Sequence, residues 1–455
     1  MKLEAKKVVV VGLARSGLAV ARFLKAQGAW VTVTDQAAEE VLGHFVEEAR
    51  ALSIPLELGG HRNTSFEAAD LIVISPGVPH TIDPLVKARQ RGIPVIGEIE
   101  LASRFIRKPI VAVSGTNGKT TTTELLGRML AAAGMRVFVG GNIGNPLIEI
   151  AGRDAELDVI VAEISSFQLD TTERFRPHVA VMLNITPDHL DRYRSVTDYA
   201  RSKGLLFRNQ GPDDVAVCHG TDALIQEQCR DIQSQILNFY PQPPSGGGAR
   251  PGAIITLRQI ALFIPGRLEG RIDLGRTALI GPHNRENIAA ACLAAVAAGA
   301  GIEAVQKALD EFQPLAHRLE PVATVNGVHF VNDSKATNVD AVARALECFD
   351  QPVVLIMGGR NKGYDFGPLF NHVAARVKRL IVIGEAGDEI LAALSQAPAD
   401  GTETAADMAD AVRRGYAAAK PGETVLLSPA CASFDMFANY AQRGEAFRRA
   451  VGALV

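Results

Sequence analysis

The sequence predicts an α/β protein of about three domains, and three observations predict it. Short β-branched apolar runs alternate with helical patterns along the chain. Residues 109–130 hold a strand, a Gly-rich loop, a lysine, a hydroxyl residue and a helix in that order, the parts of a P-loop. The length of 455 residues corresponds to about three domains at roughly 150 residues each, and is enough to bury large cores without disulfide staples.

Taken in order, residues 7–11 read as a strand entering Gly12-Leu13-Ala14-Arg15-Ser16-Gly17. A helical pattern follows (Leu18, Ala21, Phe23, Leu24), then Gly28 and a second strand over 30–34 that ends at Asp35. This is a βαβ unit with a Gly-rich first turn and an acid eighteen residues after Gly17. Ala14 stands where GxGxxG has its second glycine, the one that lets the backbone approach a pyrophosphate. Dinucleotide binding, binding of another nucleotide and a purely structural turn all fit this stretch. Further strands read over 70–75 and 93–96, the first running into Pro76-Gly77-Val78-Pro79. Polar and basic residues over 103–108 close a first domain, 1–108.

The middle domain, 109–313, opens with the strand at 110–113 and Ser114-Gly115-Thr116-Asn117-Gly118-Lys119-Thr120-Thr121. Glycines let backbone N–H groups curl around phosphate oxygens, and the following helix adds a dipole favourable to an anion. Lys119 reaches β- and γ-phosphates in such a loop, and the Thr120 hydroxyl ligates Mg²⁺. The spacing departs from GxxxxGK[ST], because Val113 occupies the first glycine position. The bland alternative is a Gly-rich turn with a surface lysine; the flanking strand and helix favour nucleoside triphosphate binding.

After the P-loop helix come an expected strand at 137–139 and the turn Gly140-Gly141-Asn142-Ile143-Gly144. Residues 158–164 read as a central strand with Glu163 at its carboxyl end, where ligands sit in an open α/β sheet. Glu163 is therefore placed to hold Mg²⁺ directly or through water, against the reading of a solvated carboxylate. A strand over 179–185 leads to Thr186-Pro187-Asp188-His189-Leu190-Asp191. By spacing, His189 reads equally as a metal ligand or a solvated loop residue, and Lys203 on the next helix is unremarkable. Residues 241–252 read as an exposed Pro/Gly-rich insertion. Gly281-Pro282-His283-Asn284 leads an Ala-rich packing helix from Asn287.

The third domain, 314–455, carries His317-Arg318 before a strand at 328–331 that ends in Asn332-Asp333-Ser334-Lys335-Ala336-Thr337-Asn338. A strand at 353–357 precedes Gly358-Gly359-Arg360-Asn361-Lys362, another lies at 380–383, and one at 424–427 enters Ser428-Pro429-Ala430-Cys431-Ala432-Ser433-Phe434-Asp435. Small and polar residues recur where strands end, as expected if that edge faces a site. No repeat with a period of 20–50 residues is evident.

Composition excludes several classes. A net charge of −3 and a pI near 6.4 lack the basic excess of a non-specific nucleic-acid binder. Five scattered cysteines with no CxxC fit a reducing cytoplasm and no zinc site. Residues 1–20 enter a strand–turn–helix pattern at once, so no signal peptide is expected. The uncharged stretch within 287–302 is too rich in Ala and Gly to span a bilayer. A soluble cytoplasmic protein without membrane insertion is the expectation.

Taken together, SGTNGKTT (114–121), GGNIG (140–144), EISSFQL (163–169), LNITPDHLDRY (183–193), GPHNRENI (281–288), HRLE (317–320), NDSKATN (332–338) and SPACASFD (428–435) resemble the Mur ligases of bacterial cell-wall synthesis. The resemblance runs along nearly the whole chain, and the GTNGKT form of the P-loop explains the missing glycine. Folylpolyglutamate synthase shares that loop but not the amino-terminal βαβ unit or SPACASFD. Relatives that add a diamino acid carry a DNPR-type motif where this chain has NDSKATN, which favours an acidic or uncharged amino acid.

The resemblance implies two Rossmann-like parallel-sheet domains, for a UDP-sugar and an amino acid, flanking a central P-loop ATPase domain. It implies ATP, UDP-N-acetylmuramoyl-L-alanine and D-glutamate as substrates, Mg²⁺ in two ions, and a monomer. By motif, Ser16, Asp35, Gly77, Asn142 and His189 would meet the UDP substrate. Gly115, Thr116, Asn117, Gly118, Lys119, Thr120, Thr121, Asn287, Arg318 and Asp333 would bind ATP. Thr120, Glu163, His189 and Lys203 would serve the metals, with Lys203 carbamylated; Lys119, Glu163, His189 and Lys203 form the catalytic set. Thr337, Lys362, Ser433 and Phe434 would meet D-glutamate. Ala14 and Arg15 depart from the family in the first loop.

The implied chemistry is amide synthesis. A carboxylate attacks the γ-phosphate of ATP, and the acyl phosphate formed is attacked by the amine of D-glutamate. The tetrahedral intermediate then collapses to amide and phosphate, and closure of the domains assembles the site. An NAD-dependent oxidoreductase would leave the P-loop, Glu163 and the third domain idle. A P-loop switch protein would not need the amino-terminal domain.

Overall fold

The computed structural model describes residues 1–190, 192–243, 251–266 and 268–454. The expected insertion at 241–252 falls largely outside them. Three sheets follow one another along the chain. The first holds β1 (Lys7–Val11), β2 (Trp30–Thr34), β3 (Leu56–Glu57), β4 (Leu71–Ile74) and β5 (Val95–Gly97). They lie in the order β3-β2-β1-β4-β5, all parallel. Parallel strands are covered on both faces, which is why they read as continuous apolar runs such as VVVV and LIVI.

The second sheet holds β6 (Ile110–Ser114), β7 (Val137–Gly141), β8 (Val159–Glu163), β9 (Val179–Met182), β10 (Val215–His219), β11 (Gln235–Tyr240), β12 (Gly252–Ile255), β13 (Gln259–Ile264) and β14 (Leu268–Asp273). Its order is β14-β13-β12-β11-β10-β9-β6-β8-β7. The strands from β7 to β12 are parallel, and β13 and β14 add antiparallel to that edge. The third sheet holds β15 (Glu320–Val325), β16 (Val328–Asn332), β17 (Val353–Gly358), β18 (Val377–Ile383), β19 (Thr402–Thr404) and β20 (Thr424–Leu427), ordered β15-β16-β20-β17-β18-β19. Only the edge pair β15–β16 in that sheet is antiparallel.

Each sheet changes winding direction beside a central strand, and such switch points open a crevice at the carboxyl ends. In the first sheet β1 lies between β2 and β4; in the second β6 lies between β9 and β8; in the third β20 lies between β16 and β17. The loops after these strands carry the motifs singled out from sequence.

Several bounds differ from expectation. The P-loop helix begins at Lys119, since the glycine loop ends one residue before it. The Ala-rich helix spans Pro282–Ala297; proline at its first position lacks an N–H the helix would leave unpaired anyway. The strand expected over 179–185 stops at Met182, and Leu183 to His189 turn back over the P-loop. The edge strand β15 was not evident in sequence, because its residues are only half-buried.

The core is divided unevenly. One apolar cluster runs from Leu3 to Cys229 and joins the first sheet to one face of the second. Ile99, Leu101 and Ala102 from the helix Glu98–Ser103 pack there with Leu147 and Ile148. The other face of the second sheet packs on the helices Lys119–Ala132 and Pro282–Ala297. The third sheet has its own clusters, formed only of residues from 319 onward.

Candidate active site

At the first switch point the loop after β1 faces the loop after β4. Gly17 is required there: a Cβ on it would lie 1.9 Å from the carbonyl oxygen of Gly12, so glycine lets the helix Arg15–Ala26 start against the loop. Ala14 is extended, with φ −134°, and so tolerates a side chain where the fingerprint has glycine. Both Asp35 oxygens are engaged: Oδ2 accepts from Leu13 N at 2.6 Å and Oδ1 from Ala37 N at 2.8 Å. Ser16, Asp35, Gly77 and Asn142 line one pocket with His61, Ser75 and Gln168. His189 lies elsewhere, packed 4.7 Å from the Phe167 ring.

The second crevice begins where β6 enters the P-loop. Gly118 has φ +84°, and a Cβ on it would stand 2.2 Å from Asn287 Oδ1. Both conformation and space therefore demand glycine. Lys119 curls back so that Nζ donates to the carbonyls of Gly115 (2.9 Å) and Thr116 (2.8 Å). Burial, aided by Arg318, pulls its pKa below the usual lysine value against the attraction of Glu163 and Asp188. Thr116 donates its hydroxyl to Thr186 O at 3.2 Å and Tyr199 OH at 3.3 Å. That pairing fixes the loop after β9 over the P-loop.

A pocket beside this loop is lined by Asn117, Gly118, Thr121, Asn284, Asn287, Arg318, Asp333 and Lys335. Arg318 Nη2 reaches across from the third sheet to donate to Thr120 Oγ1 at 2.6 Å. Asp333 accepts from Ser428 Oγ (2.9 Å) and Leu319 N (3.2 Å), yet burial pushes its pKa up to about 7. The lining thus joins residues of the second and third sheets around one pocket, with polar groups at the P-loop end.

Glu163, Lys119 and Lys203 meet at the carboxyl ends of β6 and β8. Glu163 is 2 % exposed. Its Oε1 accepts from Asn142 Nδ2 at 2.7 Å, while Oε2 is buried with no hydrogen-bond partner. A buried carboxylate oxygen without a partner is costly, and this one fits a cation at the phosphate end of the P-loop. Among the described residues no cluster of three or more His, Cys, Asp or Glu is arranged to hold a metal. That donor set suits Mg²⁺, which takes one or two protein oxygens and completes its shell with phosphates and water.

Lys203 is 1 % exposed, donates to Gly115 O at 2.8 Å and stands 4.7 Å over the Tyr199 ring. Burial and then Lys119 drive its pKa far below the usual lysine value, against Asp188, Glu163 and Asp170. His189 follows Asp188 with φ +54°, an uncommon conformation for a non-glycine residue and one that clusters at functional sites.

The third sheet presents Thr337 after β16, Lys362 after β17 and Ser433 after β20, three adjacent parallel strands. Arg443 binds these loops together. It is 1 % exposed and donates to Ser334 O (2.9 Å), Ser334 Oγ (3.0 Å) and Cys431 O (3.1 Å). Ser433 is buried, whereas Phe434 is 63 % exposed. Asp188, Tyr364, Lys335, Asp340 and Arg443 were not singled out by sequence. Only Lys335 and Asp188 sit inside quoted motifs, and no local signal marks what they touch.

Comparison with known proteins gives three consecutive family matches. They are Mur ligase MurD-like, N-terminal domain (residues 6–97), Mur ligase middle domain (113–295) and Mur ligase, glutamate ligase domain (317–431). The UDP-N-acetylmuramoylalanine--D-glutamate ligase of Desulfosudis oleivorans is 51% identical over 454 residues, covering 100% of this chain and 98% of that protein. The protein of the same name from Desulfatibacillum aliphaticivorans is 49% identical, covering 100% of both. Among solved structures, the pseudomurein peptide ligase type C from Methanothermus fervidus aligns with a TM-score of 0.63 at 20% identity, over 99% of this chain and 100% of that one. The MurF ligase from Thermotoga maritima in complex with ADP gives 0.61 at 17% identity, over 99% and 96%. At those identities the two structures speak to the fold alone.

Proposed function

The chain belongs to the Mur ligase family, and from that premise we propose that it joins D-glutamate to UDP-N-acetylmuramoyl-L-alanine with cleavage of ATP, in peptidoglycan precursor synthesis. The observation that carries the reading is the meeting of Lys119, Lys203 and the unpartnered Glu163 Oε2 at the ends of β6 and β8. It lies between a pocket lined by the first and second sheets and one lined by the second and third. Relatives at 45–51% identity over essentially the whole chain carry the D-glutamate ligase name.

In this reading the domains are 1–108, 109–313 and 314–455. Ser16, Asp35 and Gly77 hold the uridine diphosphate end of the substrate, and Asn142 directs the rest toward Glu163. Gly115 to Thr121 cradle the phosphates of ATP, while Asn287, Arg318 and Asp333 hold the remainder of the nucleotide. Lys119 exchanges its carbonyl partners for phosphate oxygens and stabilises the charge of the transferring group. Thr120, Glu163, His189 and Lys203 are the residues that would hold Mg²⁺. When bound, the metal neutralises charge on the phosphates during transfer to the alanyl carboxylate.

Lys203 is read as carbamylated. The neutral amine is the form that adds CO₂ and loses a proton to give the carbamate anion, and burial beside Lys119 favours that form. Thr337, Lys362 and Ser433 position D-glutamate, with Phe434 at the rim, so that its neutral amine attacks the acyl phosphate. Among the described residues no helix is long and apolar enough to cross a membrane; a cytoplasmic location and a monomer are part of the reading.

The test is phosphate release from ATP with each substrate omitted in turn. Release that requires both UDP-N-acetylmuramoyl-L-alanine and D-glutamate is expected. Release with neither, or none when all are present, would remove the ligase reading.

A further inference from the structure

The loop carrying Lys362 is fastened twice. Asn361 closes it from within: Nδ2 donates to Tyr364 O at 3.0 Å, and Oδ1 accepts from Tyr364 N at 2.8 Å. The Lys362 ammonium stands 5.9 Å from the centre of the Tyr364 ring. The second fastening crosses to another sheet, where the Tyr364 hydroxyl donates to Asp188 Oδ1 on the loop after β9.

Asp188 is a junction. It is 7 % exposed; Oδ1 also accepts from His189 N at 2.8 Å, and Oδ2 from Asn338 Nδ2 at 3.3 Å. Asn338 touches Asn117 of the P-loop as well, at 3.2 Å. A buried carboxyl that collects donors from His189 N, Asn338 Nδ2 and the Tyr364 hydroxyl ties three segments together through one side chain.

We propose that Tyr364 is a positioning residue of the ligase: its hydroxyl, bound to Asp188, holds the Lys362 loop of the third sheet in register with the His189 loop of the second. The proposal rests on the ligase reading above. The phenol suits the task because it spans from one loop to the other and ends in a single donor, while its ring remains under Lys362. D-Glutamate, held by the third sheet, then faces a carbonyl held by the second, and small displacements between the two are expensive in rate.

Tyr364→Phe removes the hydroxyl and keeps the ring, so the fold is retained. The expected result is a KM for D-glutamate raised about tenfold or more, the loss typical of one hydrogen bond to a charged group, with the KM for ATP within about twofold. Asn361→Ala, which opens the same turn from inside, is expected to show the same split. Amide hydrogen exchange provides a readout independent of turnover: segments 184–190 and 358–366 exchange faster together in Tyr364→Phe, while β6 does not. An unchanged KM for D-glutamate in the folded variant, or equal changes in both KM values, overturns the proposal. Should the unmodified protein show no D-glutamate-dependent phosphate release, the ligase reading fails and the exchange data decide alone. Unaltered exchange in both segments would then overturn the Asp188 fastening itself.

Discussion

At the scale of single residues, the site is governed by what burial does to charge. Lys119 and Lys203 both point to the carbonyl of Gly115, and Lys119 lowers the affinity of Lys203 for a proton. Two cations cannot share that space cheaply, and Lys203, the more deeply buried, has its pKa lowered well below the usual lysine value. The carbamate proposed for Lys203 would replace that repulsion with attraction to Lys119. Lys203→Ala is therefore expected to lose activity on the order of 10²-fold or more while remaining folded. Added acetate should restore part of it by supplying a carboxylate in the vacated volume. Full activity without any additive would show that the lysine has no part in holding the metal.

At the scale of elements, local signals and assembled ones separate clearly. The P-loop was legible because strand, glycines, lysine and helix are contiguous, and Glu163 because it ends a strand whose apolar run is uninterrupted. Asp188 and Tyr364 were not legible as a pair: they lie 176 residues apart, and nothing local in either segment points to the other. Arg443 likewise sits in an ordinary helix, and its value comes from the carbonyls of Ser334, Cys431 and Gly358, which only the fold brings to it. The helix Glu98–Ser103 is a further case. Glu98 is fully buried where that helix meets Leu147 and Ile148, and Oε1 accepts from Ile148 N at 2.7 Å. Burial raises its pKa to about 7. Because the folded value lies above the unfolded one, near 4.5, the stabilisation is complete below that pH and is lost as pH rises through 7. Glu98→Gln keeps an acceptor for Ile148 N and cannot ionise. Its advantage in unfolding free energy over the parent is expected to grow by roughly 2 kcal/mol between pH 5 and pH 8. Denaturant titrations at the two pH values measure it, and a difference that does not change with pH would contradict the assignment.

At the scale of the whole molecule, the three sheets are not equally joined. The first and second share an apolar cluster that runs from Leu3 to Cys229, and buried Glu100 fastens them by accepting from the amides of Glu173, Arg174 and Phe175. Polar contacts join the third sheet to the second: Arg318 to Thr120, Asn117 to Asp340, Asn338 to Asp188 and Tyr364 to Asp188. Among the described residues its apolar clusters contain none before Leu319. Polar, side-chain-mediated junctions let domains move and unfold separately, whereas a shared core does not. Calorimetry is thus expected to show two transitions, one for residues 1–313 and one for 314–455, and the fragment 314–455 is expected to fold alone. A non-hydrolysable ATP analogue should raise both and draw them together, since the pocket proposed for ATP takes Asn117 and Gly118 from one side and Asp333 and Lys335 from the other. A single transition in the unliganded chain, together with an unfolded 314–455 fragment, would show that the polar contacts couple the sheets as tightly as a core. In that event the closure that brings D-glutamate to the acyl phosphate would have to be a motion within the third sheet's loops rather than of the sheet itself.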